Sequence, residues 1–380
     1  MLAHVLARGA YGDVARSLSL GLAVAQLTMA GLAPTVARAV AAGADDAARW
    51  ARAAGSLRLV LLASAGCAVL VVPLAALGLA PWSAAPVAEA ALVAAVYAVY
   101  FALKCVLFAL DEVALYARWE LVSDVLFFAV LTALAVAAPH VALLTFSIAY
   151  GVFVAGVARL VLTRPPTRER VALDRRYAGL ATLATYASVA RLPLLTAVVG
   201  AVAGSRDAAG VAAVVAIVMP LFLVPQAAGM LTFATFARAP GSRHGAELRR
   251  AVRTVGLLSA AVVVPMALLA HPLVSILLGS SYRGVAPSLA IVALGSLPQL
   301  VGTPVGNAIS GEGAVGVNAA IGAVSLVVAL GGAAALAPRY HVTGAAVALA
   351  ASMVVLGTST LVAGWARYAE RLPRAVGSHS

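Results

Sequence analysis

The chain has 380 residues, 63% of them apolar and 11% charged, with 26 basic against 14 acidic side chains and a formal net charge of +12. Its mean hydropathy is +1.02. A soluble domain carries charge on roughly a quarter of its residues, so these values exclude a water-soluble enzyme. They also exclude a nucleic-acid-binding domain, which needs a folded polar surface to carry its basic face. What remains is a polytopic membrane protein: a transporter, a channel, a scaffold or an intramembrane enzyme.

About 20 apolar residues cross ~30 Å of hydrocarbon as a helix. In chain order that length predicts spans at 12–40, 56–80, 86–109, 113–137, 140–163, 177–202, 208–236, 251–278, 286–309, 315–337 and 342–366, eleven in all. Turn chemistry or charge separates them, as in APWSAAP, TRPPTRER, GSRD, APGSRHG, GSSYRG, SGEG and APRYH. Segments such as SLVVALGGAAALA lack the alternation of a transmembrane barrel strand. The predicted fold is therefore an all-α polytopic bundle. Prolines 34, 220, 225, 265, 298 and 304 are expected to kink it.

Arginine orients the spans. Alternate loops carry Arg38, Arg49, Arg52, Arg58, Arg118, Arg159, Arg164, Arg168 and Arg170, then Arg175, Arg176, Arg238, Arg243, Arg249, Arg250 and Arg253, and a tail with Arg367, Arg371 and Arg374. The opposite side holds Arg8, Arg206, Arg283 and Arg339. By the positive-inside rule the basic loops and the C-terminus are expected to be cytoplasmic, in a multi-pass protein of the plasma (inner) membrane.

The longest polar stretch, RPPTRERVALDRR at 164–176, divides the chain. The expected organisation is an N-terminal bundle of about five helices at 1–163, a basic linker at 164–176 and a C-terminal bundle of about six helices at 177–380. The two halves repeat weakly: TVARAVAAGADDAARWAR (35–52) and TFARAPGSRHGAELRRAVR (235–253) share an Ala-Arg-Ala step, a glycine-bearing turn and a basic amphipathic helix start. Such repeats mark transporters built from two similar bundles. The repeat also implies twelve helices, six plus six, with the first largely missing ahead of MLAHVLARGAYG, and hence a translation start placed too late or a shortened chain.

Three segments carry a resemblance. ARGAYGDVARSLSLGLAVAQLTMAGLAPTVARAVA (7–41), LLGSSYRGVAPSLAIVALGSLPQL (277–300) and APRYHVTGAAVALAAS (337–352) resemble, in order and spacing, helix starts of polysaccharide flippases of the Wzx type. That resemblance implies the multidrug/oligosaccharidyl-lipid/polysaccharide exporter superfamily, related to the lipid II flippase MurJ and the MATE drug exporters, whose members are two six-helix bundles facing each other in a V. It implies a lipid-linked glycan as substrate, moved from inner to outer leaflet. Tyr340-His341 stands where that family often has Tyr-Gly, and is taken as local drift.

Ionisable groups inside a bilayer are costly and are functional candidates by default. Arg191 lies mid-span with Pro193 just after it, which should kink or locally unwind the helix, and a guanidinium there can hold a diphosphate bidentately or pair with a carboxylate to join helices. Arg16 follows Asp13 at i+3 near a helix end, where a plain ion pair competes with substrate contact. Lys104, near the basic side, can line the cavity or snorkel outward. Asp124 and Glu120 share a helix face and are candidates for binding a coupling proton or Na⁺, for neutralising Arg191 or Lys104, or for merely lining a wet cavity.

Other features carry little chemistry. Asp45-Asp46 reads as a solvated loop capping the next helix. Cys67 and Cys105 read as small buried hydrophobes, and His140, His244, His271 and His341 are scattered singly, so no metal site is expected. No nucleotide-binding cassette is evident and no cofactor is expected. The outer loops are too short for a polyprenyl-dependent glycosyltransferase, so the chain is expected not to be an enzyme. The expected partners are a lipid-linked glycan, membrane lipids and proteins of polysaccharide assembly. A MATE-like antiporter for small organic cations is the rival reading: it needs a net acidic cavity, which Arg191 opposes and Asp124 with Glu120 favour.

Overall fold

The computed structural model describes residues 6–138, 141, 143–163, 175–238 and 245–368. The expected basic linker lies outside these residues except at its last positions, as does the tail beyond Tyr368. The described chain is helical throughout its length, without a strand. Nine of its helices are long and apolar enough to cross a membrane. The chain is a multi-pass membrane protein, and each of the eleven predicted spans has a helical counterpart.

Contacts divide it into two compact units, meeting between Ala212 and Ala213. The first unit holds α1 (Arg8–Ala41), α2 (Asp46–Leu74), α3 (Ala84–Ala109), α4 (Val113–Ala137) and α5 (Leu144–Leu162). It also holds α6 (Arg175–Val189), α7 (Arg191–Ala203) and the start of α8 (Ser205–Val218). The second unit continues through a 3-10 turn at Met219–Phe222 to α9 (Leu223–Arg238), α10 (Gly245–Leu268), α11 (Ala270–Leu278), α12 (Ala286–Gly311) and α13 (Val315–Tyr368).

Most breaks in the long apolar runs follow prolines. A helical proline leaves the carbonyl four residues back without its donor and pushes against it. Pro73 precedes a single π-helical turn, Ala75–Leu79, in which Gly78 turns to φ 83°. Pro220 sits in the 3-10 turn before α9, and Pro265 lies four residues before the Leu269 break between α10 and α11. Pro193 lies in the first turn of α7, just past the interruption at Ala190, as its place in the sequence predicts. Pro338 precedes His341, where α13 reverses direction at φ 54°, ψ −136°. That corrects the reading of His341 as drift: the position requires a backbone conformation natural to glycine, which is what the resembling motif carries there. The expectation for Asp45 is met: it is the N-cap of α2, its side chain accepting from the Ala48 N–H at 2.7 Å.

In the first unit α1 is central, packed on α2, α3, α6 and α7, with α5 lying against both α3 and α4. Close approach depends on small residues. A Cβ at Gly31 would stand 2.0 Å from Thr182 Oγ1 and 2.2 Å from the Ala178 carbonyl of α6. By contacts 177–203 group with the first unit, whereas the sequence reading began the C-terminal bundle at 177. Helix grouping follows surface fit and not the polarity of the sequence between helices. In the second unit α12 packs between α13, α9 and α10. Outward faces carry large apolar side chains such as Leu62, Val69, Leu121, Phe128, Val327 and Trp365, as lipid contact requires.

Candidate functional site

All five sequence candidates fall in the first unit, in three separate places. Arg191, 0% exposed, is enclosed at the junction of α6 and α7 and offers no accessible guanidinium in this conformation. Among the described ion pairs none joins it to Glu120 or Asp124.

Arg16 acts as a clamp at one end of the unit. Its Nη2 donates to the Gly78 carbonyl at 2.6 Å and its Nη1 to Ser205 Oγ at 3.2 Å. Asp13 stands 3.7 Å from Nη1 and accepts a hydrogen bond from the Ser205 hydroxyl. The Arg16 stem lies where a Cβ on Gly200 would be, 2.3 Å from its Cδ. One guanidinium therefore fastens α1, the π-helical turn after α2 and the start of α8. The ion pair expected at i, i+3 is present, within a network that reaches well beyond it.

The third place gathers Lys104, Glu120 and Asp124 with four tyrosines. Tyr97, Tyr100 and Lys104 occupy one face of α3 at i, i+3 and i+7, and Tyr116, Glu120 and Asp124 one face of α4 at i, i+4 and i+8. Tyr150 and Phe153 come from α5. The short α3–α4 turn, with Asp111 at φ 62°, sets those two faces against each other. Ser123 Oγ donates to the Ala149 carbonyl at 3.1 Å, and Trp119 fills the space beside Gly156, fixing α4 on α5.

Tyr100 is the centre of the cluster. Its hydroxyl donates to Glu120 Oε1 at 2.6 Å. Its ring lies 4.4 Å from that of Tyr150, 4.9 Å from Phe153 and 5.5 Å from Tyr97. Glu120 Oε2 is buried with no hydrogen-bond partner among the described residues, and the Tyr116 hydroxyl is close by. Lys104 Nζ stands 4.9 Å from the Tyr116 ring centroid and 5.8 Å from that of Tyr100. Asp124 is exposed on the unit's surface, within electrostatic range of Glu120 and Lys104. Of the expected partnerships, Asp124 lies within electrostatic range of Lys104, and among the described ion pairs none joins Lys104 to either carboxylate.

The sequence reading missed the tyrosines. Their signal was available: hydroxyl-bearing rings at helical spacing, beside ionisable residues, inside apolar spans. The cluster can stack against an apolar or sugar ring, accept hydroxyl protons on Glu120, donate from phenols and attract or repel charge. Among the described residues no group of His, Cys, Asp and Glu stands where it could hold a metal ion.

No protein-family model matches the chain, nor does any curated protein. Solved structures do. The chain is similar to a multidrug resistance MATE family transporter of the MOP superfamily in an inward-facing conformation, at 15% identity and TM-score 0.67, covering 98% of this chain and 96% of that one. It is similar to a MOP superfamily transporter from Pyrococcus furiosus, described as having a binding pocket of reversed polarity, at 16% identity and TM-score 0.67, covering 97% and 90%. A MATE structure in a bent conformation matches at 15% identity and TM-score 0.66, covering 97% and 92%. At these identities the likeness is one of fold: the chain has the fold of the MATE family transporters of the MOP superfamily.

Proposed function

We propose that the chain is an alternating-access transporter that moves a polyprenyl-diphosphate-linked oligosaccharide, or polysaccharide repeat unit, from the inner to the outer leaflet of the plasma membrane. The observation that carries this reading is the tyrosine–glutamate–lysine cluster of α3, α4 and α5. Polar and ionisable groups within apolar membrane spans oppose insertion and are retained where they serve a substrate. Phenol hydroxyls and a carboxylate match the alternating donors and acceptors of a sugar, and tyrosine rings cover its apolar face. Similarity of fold to transporters supports movement of a solute rather than chemistry on it. The Wzx-like segments at 7–41, 277–300 and 337–352 support a lipid-linked glycan in particular. Arg191 and Arg16 are the cation candidates in the same unit for a diphosphate, Arg191 after its packing opens and Arg16 after release from Gly78 and Ser205.

A second reading, antiport of small organic cations, is favoured by one observation: Glu120 and Asp124 outnumber Lys104, and ring faces attract cations. Purified protein in proteoliposomes separates the two. Flipping is followed as exposure of a polyprenyl-diphosphate sugar to an impermeant oxidant, and antiport as ethidium uptake driven by an imposed proton gradient. The proposal expects flipping by the wild type, reduced at least about tenfold by Glu120→Gln, the loss of roughly one buried charged hydrogen bond. Ethidium uptake without flipping overturns it in favour of the antiporter.

A further inference from the structure

We infer that Lys104 sets the specificity of the α3–α4–α5 site: its own ammonium occupies the aromatic seat and excludes cationic cargo, leaving the phenol hydroxyls and Glu120 for uncharged, hydroxyl-rich groups. The inference rests on the proposed reading of this cluster as the substrate site.

The geometry is that of an occupied cage. Nζ lies 4.9 Å from the Tyr116 centroid and 5.8 Å from the Tyr100 centroid, both inside the reach of about 6 Å over which a ring face attracts a cation. Tyr100 is in turn bonded to Glu120 at 2.6 Å, and Asp124 stands one turn further along α4. Rings with carboxylates behind them are the composition that receives a quaternary ammonium. Here one of the protein's own side chains fills it. Lys104 is five residues from the end of α3 at Ala109 and has an alternative. A lysine so placed can extend along the helix towards water and the last carbonyls, yet its ammonium lies over the rings. A cationic solute entering the site would have to displace that ammonium and would meet its charge at close range, whereas a sugar meets no such opposition.

The test uses the full chain in detergent and tetraethylammonium as the probe, with binding measured by equilibrium dialysis. Lys104→Met removes the charge and keeps most of the stem, so the helices retain their spacing. Wild type is expected to bind weakly, Lys104→Met at least about tenfold more tightly, as a freed cage should, and Lys104→Arg as weakly as wild type. Adding Tyr116→Leu to Lys104→Met should cancel the gain. Equal binding by wild type and Lys104→Met, with matching unfolding curves, overturns the inference; where Lys104→Met does not fold, Lys104→Gln takes its place in the same comparison. A gain that survives Tyr116→Leu also overturns it. Since the assay needs no transport, a wild type that flips glycans while Lys104→Met gains no binding rejects only this inference. A variant that gains binding while the wild type fails to flip rejects only the glycan reading.

Discussion

The bond between Tyr100 and Glu120 can be weighed by itself. At 2.6 Å it falls in the range of about 2.5–2.7 Å for a hydroxyl donating to a carboxylate, roughly twice as strong as a neutral pair. Tyr100→Phe removes the donor and keeps the ring contacts with Tyr150 and Phe153. Glu120 Oε2 already lacks a partner among the described residues, so the variant leaves the carboxylate without its shortest bond in an apolar setting. The expected cost is about 2–3 kcal/mol, the upper part of the range for hydrogen bonds to charged groups. Glu120→Gln keeps an acceptor but loses the charge, and should cost about 1 kcal/mol. In the double variant no charge is left without its donor, so its loss should fall short of the sum of the two single losses by about 1.5–2 kcal/mol. Unfolding of the purified protein by SDS in mixed micelles, followed by circular dichroism, gives all four corners of the cycle. A coupling within about 0.5 kcal/mol of zero, the usual error of additivity, would refute the claim that this bond organises the cluster.

Two further substitutions probe the fold around the site. Gly31→Ala should cost at least about 2 kcal/mol in the same titration, because the new Cβ meets the backbone carbonyl of Ala178 as well as Thr182. Thr182→Ala should not rescue it, and full stability of Gly31→Ala would contradict the packing of α6 on α1. His341→Gly should stabilise by about 1 kcal/mol, the strain relieved at φ 54° less the extra freedom of the unfolded chain. A loss of stability on that change would mean that contacts of the imidazole outweigh the strain.

Much of the secondary structure was legible because the bilayer leaves the backbone few choices. A run such as 86–109 must be helical to satisfy its own N–H and C=O groups, and its length gives its ends to within a few residues. Local chemistry supplied finer points: the Asp45 cap, the interruption before Pro193 and the break at Leu269 after Pro265. The site was only half legible. Lys104, Glu120 and Asp124 stood out as charges in apolar spans. Tyr97, Tyr100, Tyr116 and Tyr150 did not, because a tyrosine in a membrane helix is common enough to pass as an interfacial residue. Their spacing with Lys104 and Glu120 acquires meaning only once α3 and α4 are known to face each other.

The sequence by itself therefore determined the solvent, the helices and their approximate ends, since these depend on local hydropathy and on proline, glycine and capping chemistry within a few residues. The tertiary structure alone decided partnership. Glycine-bearing faces on α1 could have received any of several helices, and the fit at Gly31 brings α6 to it. Arg16 was readable as half of an ion pair with Asp13, while its bonds to Gly78 and Ser205 span 62 and 189 residues of chain. The seating of Lys104 over two rings from different helices is of the same kind. Such contacts depend on helix shape and side-chain direction, which no run of adjacent residues encodes.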